Sequence, residues 1–322
     1  MTYSRIAGTG SYLPEKVVTN QDLEAMMDTS DEWIRDRTGI KRRHIAAEGE
    51  TTSDLALAAA NRAMEMAGIT AEDVDLIIIA TTTPDKVFPG TACIVQRRLG
   101  VGGCGAFDIQ AACSGFVYGL DLADRYIRTG AGKNVLVIGA ETLSRLTNWD
   151  DRTTAVLFGD GAGAVVLQET DKPGILSTHI HADGQYEDLL QVPQGISQGY
   201  DITRAGEAFI QMNGNAVFRR AVATLDSIAR ETLEKNNIDK HDLDWFVPHQ
   251  ANMRIITAAA KKLDMPMERV IVTVDEHANT SAASIPLALD VAVRDGRIKR
   301  GELLLFEAFG AGFTWGSALL RF

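Results

Sequence analysis

Apolar positions along the chain follow two alternating rhythms. Unbroken apolar runs at Asp75–Thr81 and Val135–Glu141 predict strands buried on both faces, as in a sheet covered by helices. Ala56–Ala67, Thr91–Leu99 and Ser114–Arg128 carry helical spacing, and Gly68 and Gly130 supply stops after two of them. Phe107–Ala112 reads as a strand. Further on, Asn213–Asn236, Ala251–Leu263 and Ser281–Arg294 predict helices, with strands at Ala164–Gln168, Asp244–His249 and Val270–Val274. Strands alternating with helices indicate an α/β fold. Asp183–Thr203, rich in Gly, Gln, Asp and Pro, predicts a loop that could act as a lid.

The second part of the chain repeats the first. Ile69–Asp75 lies 169 positions before Ile238–Asp244, and Val135–Ile138 lies 168 before Leu303–Phe306. Phe158–Gly163 lies 151 positions before the Phe309–Gly312 segment, so extra residues are expected around Thr147–Val156. Ordered matches at nearly one offset predict a duplicated fold, divided at 1–170 and 171–322, with a site where the halves meet.

Charge narrows the function. The 322 residues hold 32 Lys and Arg against 43 Asp and Glu, a net charge of -11, which opposes nucleic-acid binding. The longest aliphatic stretch, Leu76–Ala80, is far short of the ~20 residues of a membrane span. No basic segment precedes an apolar run at the N-terminus, and Cys93, Cys104 and Cys113 form no CxxC pair. A cytoplasmic chain with free thiols is expected.

Cys113 falls at a predicted strand-to-helix turn, where a helix N-terminus favours the thiolate. Cys93 and Cys104 read as small buried hydrophobes. His249 and Asn279 occupy matching turns, although His249 reads equally as a satisfied loop histidine and Asn279 as a plain N-cap. Gly8-Thr-Gly10 and Gly159–Gly163 lack the strand-to-helix setting of a dinucleotide fingerprint. His179 and His181 read as solvated strand residues without an acidic partner at ligand spacing, so no metal is expected. Trp33, Arg35 and Arg37 near the end of a short helix could form an aromatic–guanidinium site for adenine or phosphate. In the helix after His249, Ile255, Ile256, Ala259, Ala260 and Leu263 share one face; Arg254, Lys261 and Lys262 lie opposite, ready for an acidic partner.

Ala111-Ala-Cys113-Ser-Gly-Phe116, Pro248-His249-Gln-Ala-Asn252, Asn279-Thr-Ser-Ala-Ala-Ser284 and Phe309-Gly-Ala-Gly-Phe-Thr-Trp-Gly316 occur in that order. Together they resemble the β-ketoacyl-acyl carrier protein synthase III family, over essentially the whole chain. The resemblance implies a thiolase-like five-layer αβαβα sandwich of two duplicated halves, usually a homodimer. It implies a decarboxylative Claisen condensation of a primer acyl-CoA, acetyl-CoA by expectation, with malonyl-acyl carrier protein through an acyl-cysteine, initiating fatty acid biosynthesis. No cofactor is implied.

The resemblance places Cys113, His249 and Asn279 as the catalytic triad, with backbone N–H groups of Cys113 and Ala311 as the oxyanion hole. It puts Trp33, Arg37, Arg152, Gly214, Asn215, Phe218, Ala251, Asn252 and Phe309 along the CoA approach, and Phe88, Leu143, Phe158, Leu190 and Ile210 around the primer. The carrier-protein surface would comprise Gln250, Ala251, Asn252, Met253 and Arg254, with Arg219, Lys261 and Lys262. Two departures stand out: Ala311 replaces the middle glycine of a common Gly-Gly-Gly, and Ala278 replaces the glycine before Asn279, read as a mild backbone change. A degradative thiolase would need a second cysteine within Gly310–Gly316, which holds none. The alternative is a related thiolase-fold acyltransferase taking longer acyl-CoA primers toward a polyketide, an olefin or another secondary product.

Overall fold

The computed structural model describes residues 2–199 and 208–322. Its first sheet has the strand order β1 (Tyr3–Tyr12), β7 (Asp160–Thr170), β6 (Asn134–Thr142), β4 (Leu76–Ala80), β5 (Gly105–Ile109). Its second has the order β11 (Trp245–Pro248), β12 (Leu303–Gly310), β13 (Thr314–Arg321), β8 (Ile175–Ala182). Two small antiparallel ribbons pair β2 (Lys16–Thr19) with β3 (Arg42–Ile45), and β9 (Leu190–Gln191) with β10 (Gln211–Met212). The α-helices are α1 (Asn20–Glu24), α2 (Asp31–Thr38), α3 (Thr52–Ala67), α4 (Thr91–Leu99), α5 (Gly115–Arg128), α6 (Arg152–Ala155), α7 (Gly214–Asn236), α8 (Met253–Lys262), α9 (Val274–His277) and α10 (Ser284–Arg294).

Three apolar cores explain the layering. One lies between α3–α4 and the outer face of the first sheet. Another encloses α5 and α10 between the two sheets. The third lies between the second sheet and α7–α8. The result is the five-layer αβαβα sandwich. The central helices are apolar nearly all round because sheets cover both sides. Every residue of β4 is buried, as its unbroken apolar run requires. The layers approach closely where side chains are missing: a Cβ on Gly8 would stand 2.2 Å from the Ala63 carbonyl oxygen of α3.

The duplication is explicit in the strands. Leu76 and Trp245 open β4 and β11, Asn134 and Leu303 open β6 and β12, and Gly115 and Ser284 open α5 and α10, each pair 169 positions apart. β4 pairs in parallel with β5, and the corresponding partner of β11 is reduced to one bridge, Phe246 with Val270. The strand expected at Val270–Val274 is therefore absent: Gln250 instead takes the Thr273 and Val274 N–H groups that a ladder would use. The Phe158–Phe309 match also needs correction, since Phe158 precedes β7 while Phe309 lies within β12. The added residues do fall between β6 and β7, where expected.

The predicted loop carries local structure in its described part. Gly184–Leu189 forms a 3₁₀ segment and Leu190–Gln191 pairs with Gln211–Met212, while residues 200–203 of it lie outside the described residues. Cys93 and Cys104 are half-buried rather than buried; Cys93 Sγ donates to the Ala106 carbonyl and Cys104 Sγ accepts from Gln96. His181 does have an acidic partner, Glu231 at 2.9 Å on α7, and stacks on Trp315.

Candidate active site

Cys113 is carried into the centre of the molecule by β5 and a 3₁₀ turn, Ala112–Ser114, that opens α5. Ala112 takes a left-handed conformation (φ +45°), which turns the chain sharply ahead of the cysteine. The loop after β12 closes over it. A Cβ on Gly310 would stand 2.7 Å from the Cys113 backbone nitrogen, so a side chain there would push the nucleophile's loop away. Thr314 ties the two loops together by donating its hydroxyl to the Ala111 carbonyl (2.9 Å) and the Ala311 carbonyl (3.1 Å). Ala311 is absent from the residues with positive φ, so its Cβ meets no left-handed strain.

The equivalent turn in the other half is Ser281–Ala283, at the head of α10, with Ser281 also left-handed (φ +49°). Asn279 lies just before it. Its Oδ1 accepts the Ser281 N–H at 2.9 Å, and its backbone is clamped against the first half by bonds with Leu157 and Gly159. Since the carbonyl end of the amide is occupied, the Nδ2 end is free to donate.

Ala278 has φ +59° and ψ -163°, a conformation glycine favours. The alanine before Asn279 is thus a strained substitution, not a mild one.

His249 follows β11, its N–H donating to the Glu307 carbonyl at 2.7 Å. Nδ1 lies 2.7 Å from the Ser284 hydroxyl. That hydroxyl also accepts the Gln250 N–H (3.2 Å), and donation of its own proton to Nδ1 is the arrangement that leaves Nε2–H as a donor. Burial pushes the imidazole down to about 3, which keeps the ring neutral.

The thiol departs from the expected thiolate. Burial pushes Cys113 up to about 12, outweighing the helix terminus; the nearby Glu141 charge raises it further, while the Ser281 hydroxyl works the other way.

The remaining expected residues divide clearly. Arg37 and Arg152 both lie over the Trp33 ring, 4.9 Å and 5.1 Å from its centroid. Gly214, Asn215, Phe218 and Arg219 form the first turns of α7, and Arg254 of α8 stacks over Phe218 at 5.2 Å. Asn252 caps α8 by accepting the Ile255 N–H, next to half-buried Ala251 and Met253. Phe309 packs on Phe313 at 4.6 Å. Lys261 and Lys262 are exposed, with Lys262 3.9 Å from Asp226.

Leu143, Phe158, Ile210 and Leu190 share one apolar cluster. Phe88 does not join them: it is 83% exposed, because it belongs to the loop that leads into α4 at the open edge of the first sheet. Gln250 also requires correction. It is buried, donating to the Pro248 and Ile271 carbonyls and accepting from Thr273 and Val274, so it offers nothing to an external partner.

Sequence reasoning missed Ser281, Ser284 and Glu141. Ser281 and Ser284 stand inside a quoted motif, but Glu141 carries no local signal. Among the described residues, no group of three or more His, Cys, Asp or Glu is arranged to hold a metal ion. No described helix is long and apolar enough to cross a membrane.

Residues 107–184 match the family profile described as 3-oxoacyl-[acyl-carrier-protein] synthase III, and residues 233–322 match the C-terminal profile of the same description. A beta-ketoacyl-[acyl-carrier-protein] synthase III from Thioalkalivibrio sulfidiphilus is 67% identical over all of both chains. The crystal structure of 3-oxoacyl-[acyl-carrier-protein] synthase III from Aquifex aeolicus superposes with a TM-score of 0.94 at 50% identity, covering 99% of this chain and 100% of that one. The corresponding Pseudomonas aeruginosa structure gives 0.93 at 43% identity, covering 99% and 98%.

Proposed function

The chain belongs to the 3-oxoacyl-[acyl-carrier-protein] synthase III family of condensing acyltransferases, and from that membership we propose the role of each group in its site. The reaction joins a primer acyl-CoA to malonyl-acyl carrier protein, with loss of CO₂, and begins fatty acid synthesis. The observation that carries the assignment of roles is that Cys113, at the head of α5, stands beside Ser281 at the head of α10, where Asn279 accepts the Ser281 N–H and a neutral His249 contacts the Ser284 hydroxyl.

Cys113 attacks the acyl-CoA carbonyl, and the acyl group moves to Sγ as CoA leaves. Backbone N–H groups of Cys113 and Ala311 hold the oxyanion; one such donor is typically worth ~10²–10³ in rate. In the second half-reaction His249 Nε2–H and Asn279 Nδ2–H donate to the malonyl thioester oxygen. They stabilise the enolate formed as CO₂ departs. Neutral donors suit this step because the charge they meet exists only beyond the ground state. The enolate carbon attacks the acyl-Cys113 carbonyl, and the 3-oxoacyl product leaves on the carrier protein. No cofactor enters this scheme.

Trp33 with Arg37 and Arg152 receives the adenine and phosphates of CoA. Gly214, Asn215, Phe218, Ala251, Asn252 and Phe309 line its approach, and Leu143, Phe158, Leu190 and Ile210 surround a short primer. Ala251, Asn252, Met253, Arg219, Arg254, Lys261 and Lys262 form the carrier-protein surface, a basic patch on a chain of net charge -11. The halves 1–170 and 171–322 divide the labour between nucleophile and donors. The free edge of β5, where Phe107 is 40% exposed, is the face for a second copy in a homodimer, with exposed Val87 and Phe88 on the loop ahead of α4. The cytoplasm is the compartment we assign.

Peptide mass spectrometry after incubation with a panel of acyl-CoAs, without malonyl donor, tests the scheme. An acyl adduct on Cys113 is expected, and the best-loaded chain names the primer. If no acyl-CoA labels Cys113, the scheme loses its first step.

A further inference from the structure

Glu141 is a fully buried carboxyl at the end of β6, and its two oxygens differ. Oε2 accepts the Thr82 N–H (3.0 Å) and the hydroxyls of Thr82 (2.8 Å) and Thr83 (2.9 Å), with Thr81 farther off at 3.5 Å. Oε1 has no partner at hydrogen-bonding geometry. Three good donors on one oxygen are the setting of a carboxylate, and the bare second oxygen is where an arriving proton would sit.

The internal repeat shows where that oxygen faces. Glu141 stands 169 positions before Gly310, so the two are counterparts in β6 and β12. Gly310 abuts the backbone of Cys113 at the head of α5. By the same geometry Glu141 faces the head of α10, where the neighbouring Gly139 also abuts Ala282. The residue there is Ser281, counterpart of Ala112 and left-handed like it, but bearing a hydroxyl. The Ser281 hydroxyl stands beside both the Cys113 thiol and the Glu141 carboxyl and favours the ionised form of each.

We propose that Glu141 is the acceptor for the Cys113 proton, acting through the hydroxyl of Ser281. The inference rests on Cys113 being the nucleophile. The S–H bond breaks as its proton passes to Ser281 Oγ, and the Ser281 proton passes to Glu141 Oε1. The products are a thiolate and a carboxylic acid, with no change in net charge. When the acyl group has reached Sγ, the proton returns along the same path to the departing CoA sulfur.

This supplies what the buried thiol lacks. Burial holds Cys113 up near 12 and Glu141 up to about 7, despite the Thr82 and Thr83 hydrogen bonds that oppose it. The groups facing the carboxyl are Thr81, Thr82 and Thr83 from the loop after β4 and Ser281 ahead of α10. Cys113, at the head of α5, is the titratable group that registers its charge. Below about pH 7 the acceptor is already protonated, so thiol reactivity should fall as pH drops through that value and level off above it.

The test is the rate of Cys113 alkylation by iodoacetamide between pH 5.5 and 9, read by peptide mass spectrometry on the full-length protein, for wild type, Glu141→Gln and Ser281→Ala. Thermal melts check folding, and acetyl-CoA labelling of the wild type runs in parallel. Both variants should lose the inflection near pH 7 and react about 10²-fold more slowly at pH 8. Should Glu141→Gln fail to fold, Ser281→Ala alone decides. Alkylation at or above the wild-type rate, with the inflection kept, would overturn the relay. Removing a mere like charge beside the thiol should speed the reaction, so the two roles differ in sign. If acyl-CoAs do not label wild-type Cys113, the proposed function fails first and the relay with it.

Discussion

His249 Nδ1 and the Ser284 hydroxyl stand 2.7 Å apart, both buried, and donation by the hydroxyl to Nδ1 leaves the ring proton on Nε2. Without the hydroxyl, Nδ1 becomes an unpaired buried acceptor, at about 1–3 kcal/mol, and the ring is free to change tautomer. Ser284→Ala should therefore lower kcat for condensation at least ~10-fold while Cys113 acylation from acyl-CoA stays near normal. Single-turnover assays of the two half-reactions check this; equal losses in both would refute the donor role.

The same histidine contributes to the pH dependence of stability. Its folded value, about 3, lies below the ~6.5 of an unfolded chain. Above pH 6.5 both states are neutral. As pH falls from there toward 3, the unfolded state takes up a proton that the folded state refuses, and stability is lost at ~1.4 kcal/mol per unit. Between pH 7 and 5, wild type should lose ~2 kcal/mol more than His249→Gln. Urea midpoints at both pH values measure the difference, from which the raised carboxyls Glu141 and Glu307 cancel.

Asn279 is held by its oxygen, and the proposed scheme gives its nitrogen the donor role, so Asn279→Asp keeps the tie to the Ser281 N–H and loses the donor. The new carboxylate would face a developing enolate. Condensation should fall by ~10² or more, while mass spectrometry still finds the acyl adduct on Cys113. Loss of the adduct as well would mean that the residue holds the loop and nothing else.

Much of this was legible because it is local. The unbroken run of β4, the turn before Cys113 and the apolar face of α8 each follow from neighbouring residues, and all are observed. The ionisation of Cys113 was not, since burial depends on layers contributed from both halves and reverses the effect of the helix terminus. Gln250 looked available in a polar motif, yet it serves the backbone of a segment more than twenty positions away. Glu141 lay hidden at the end of a strand whose only visible signal was hydrophobicity. Its threonine donors come from the loop after β4, about sixty residues earlier in the chain.

Gly310 and the Cys113 loop cannot both keep their places if a side chain intervenes. Gly310→Ala sets a Cβ 2.7 Å from a backbone nitrogen, and backbone yields less readily than the end of a side chain. A loss of ~1–3 kcal/mol is expected by urea denaturation, with acylation of Cys113 reduced more than stability alone explains. Gly184→Ala is the control, because nothing lies within 4 Å of its Cβ. Unchanged acylation in Gly310→Ala would show that the loop adapts.

Trp33 holds Arg37 at 4.9 Å and Arg152 at 5.1 Å, and Arg152 is further fixed by donating to the Asp28 carbonyl at 2.7 Å. Two exposed cation–π contacts at ~0.5–1 kcal/mol each set the scale. These residues lie on helices remote from Cys113 in sequence, and in the proposed scheme they meet a part of the substrate that does not react, so their energy there is the same in ground and transition states. Trp33→Ala should raise KM for acyl-CoA about tenfold and leave kcat within about twofold. Steady-state kinetics with acyl-CoA varied at saturating malonyl-acyl carrier protein make the distinction. A fall in kcat at unchanged KM would place Trp33 in the chemistry rather than in CoA binding.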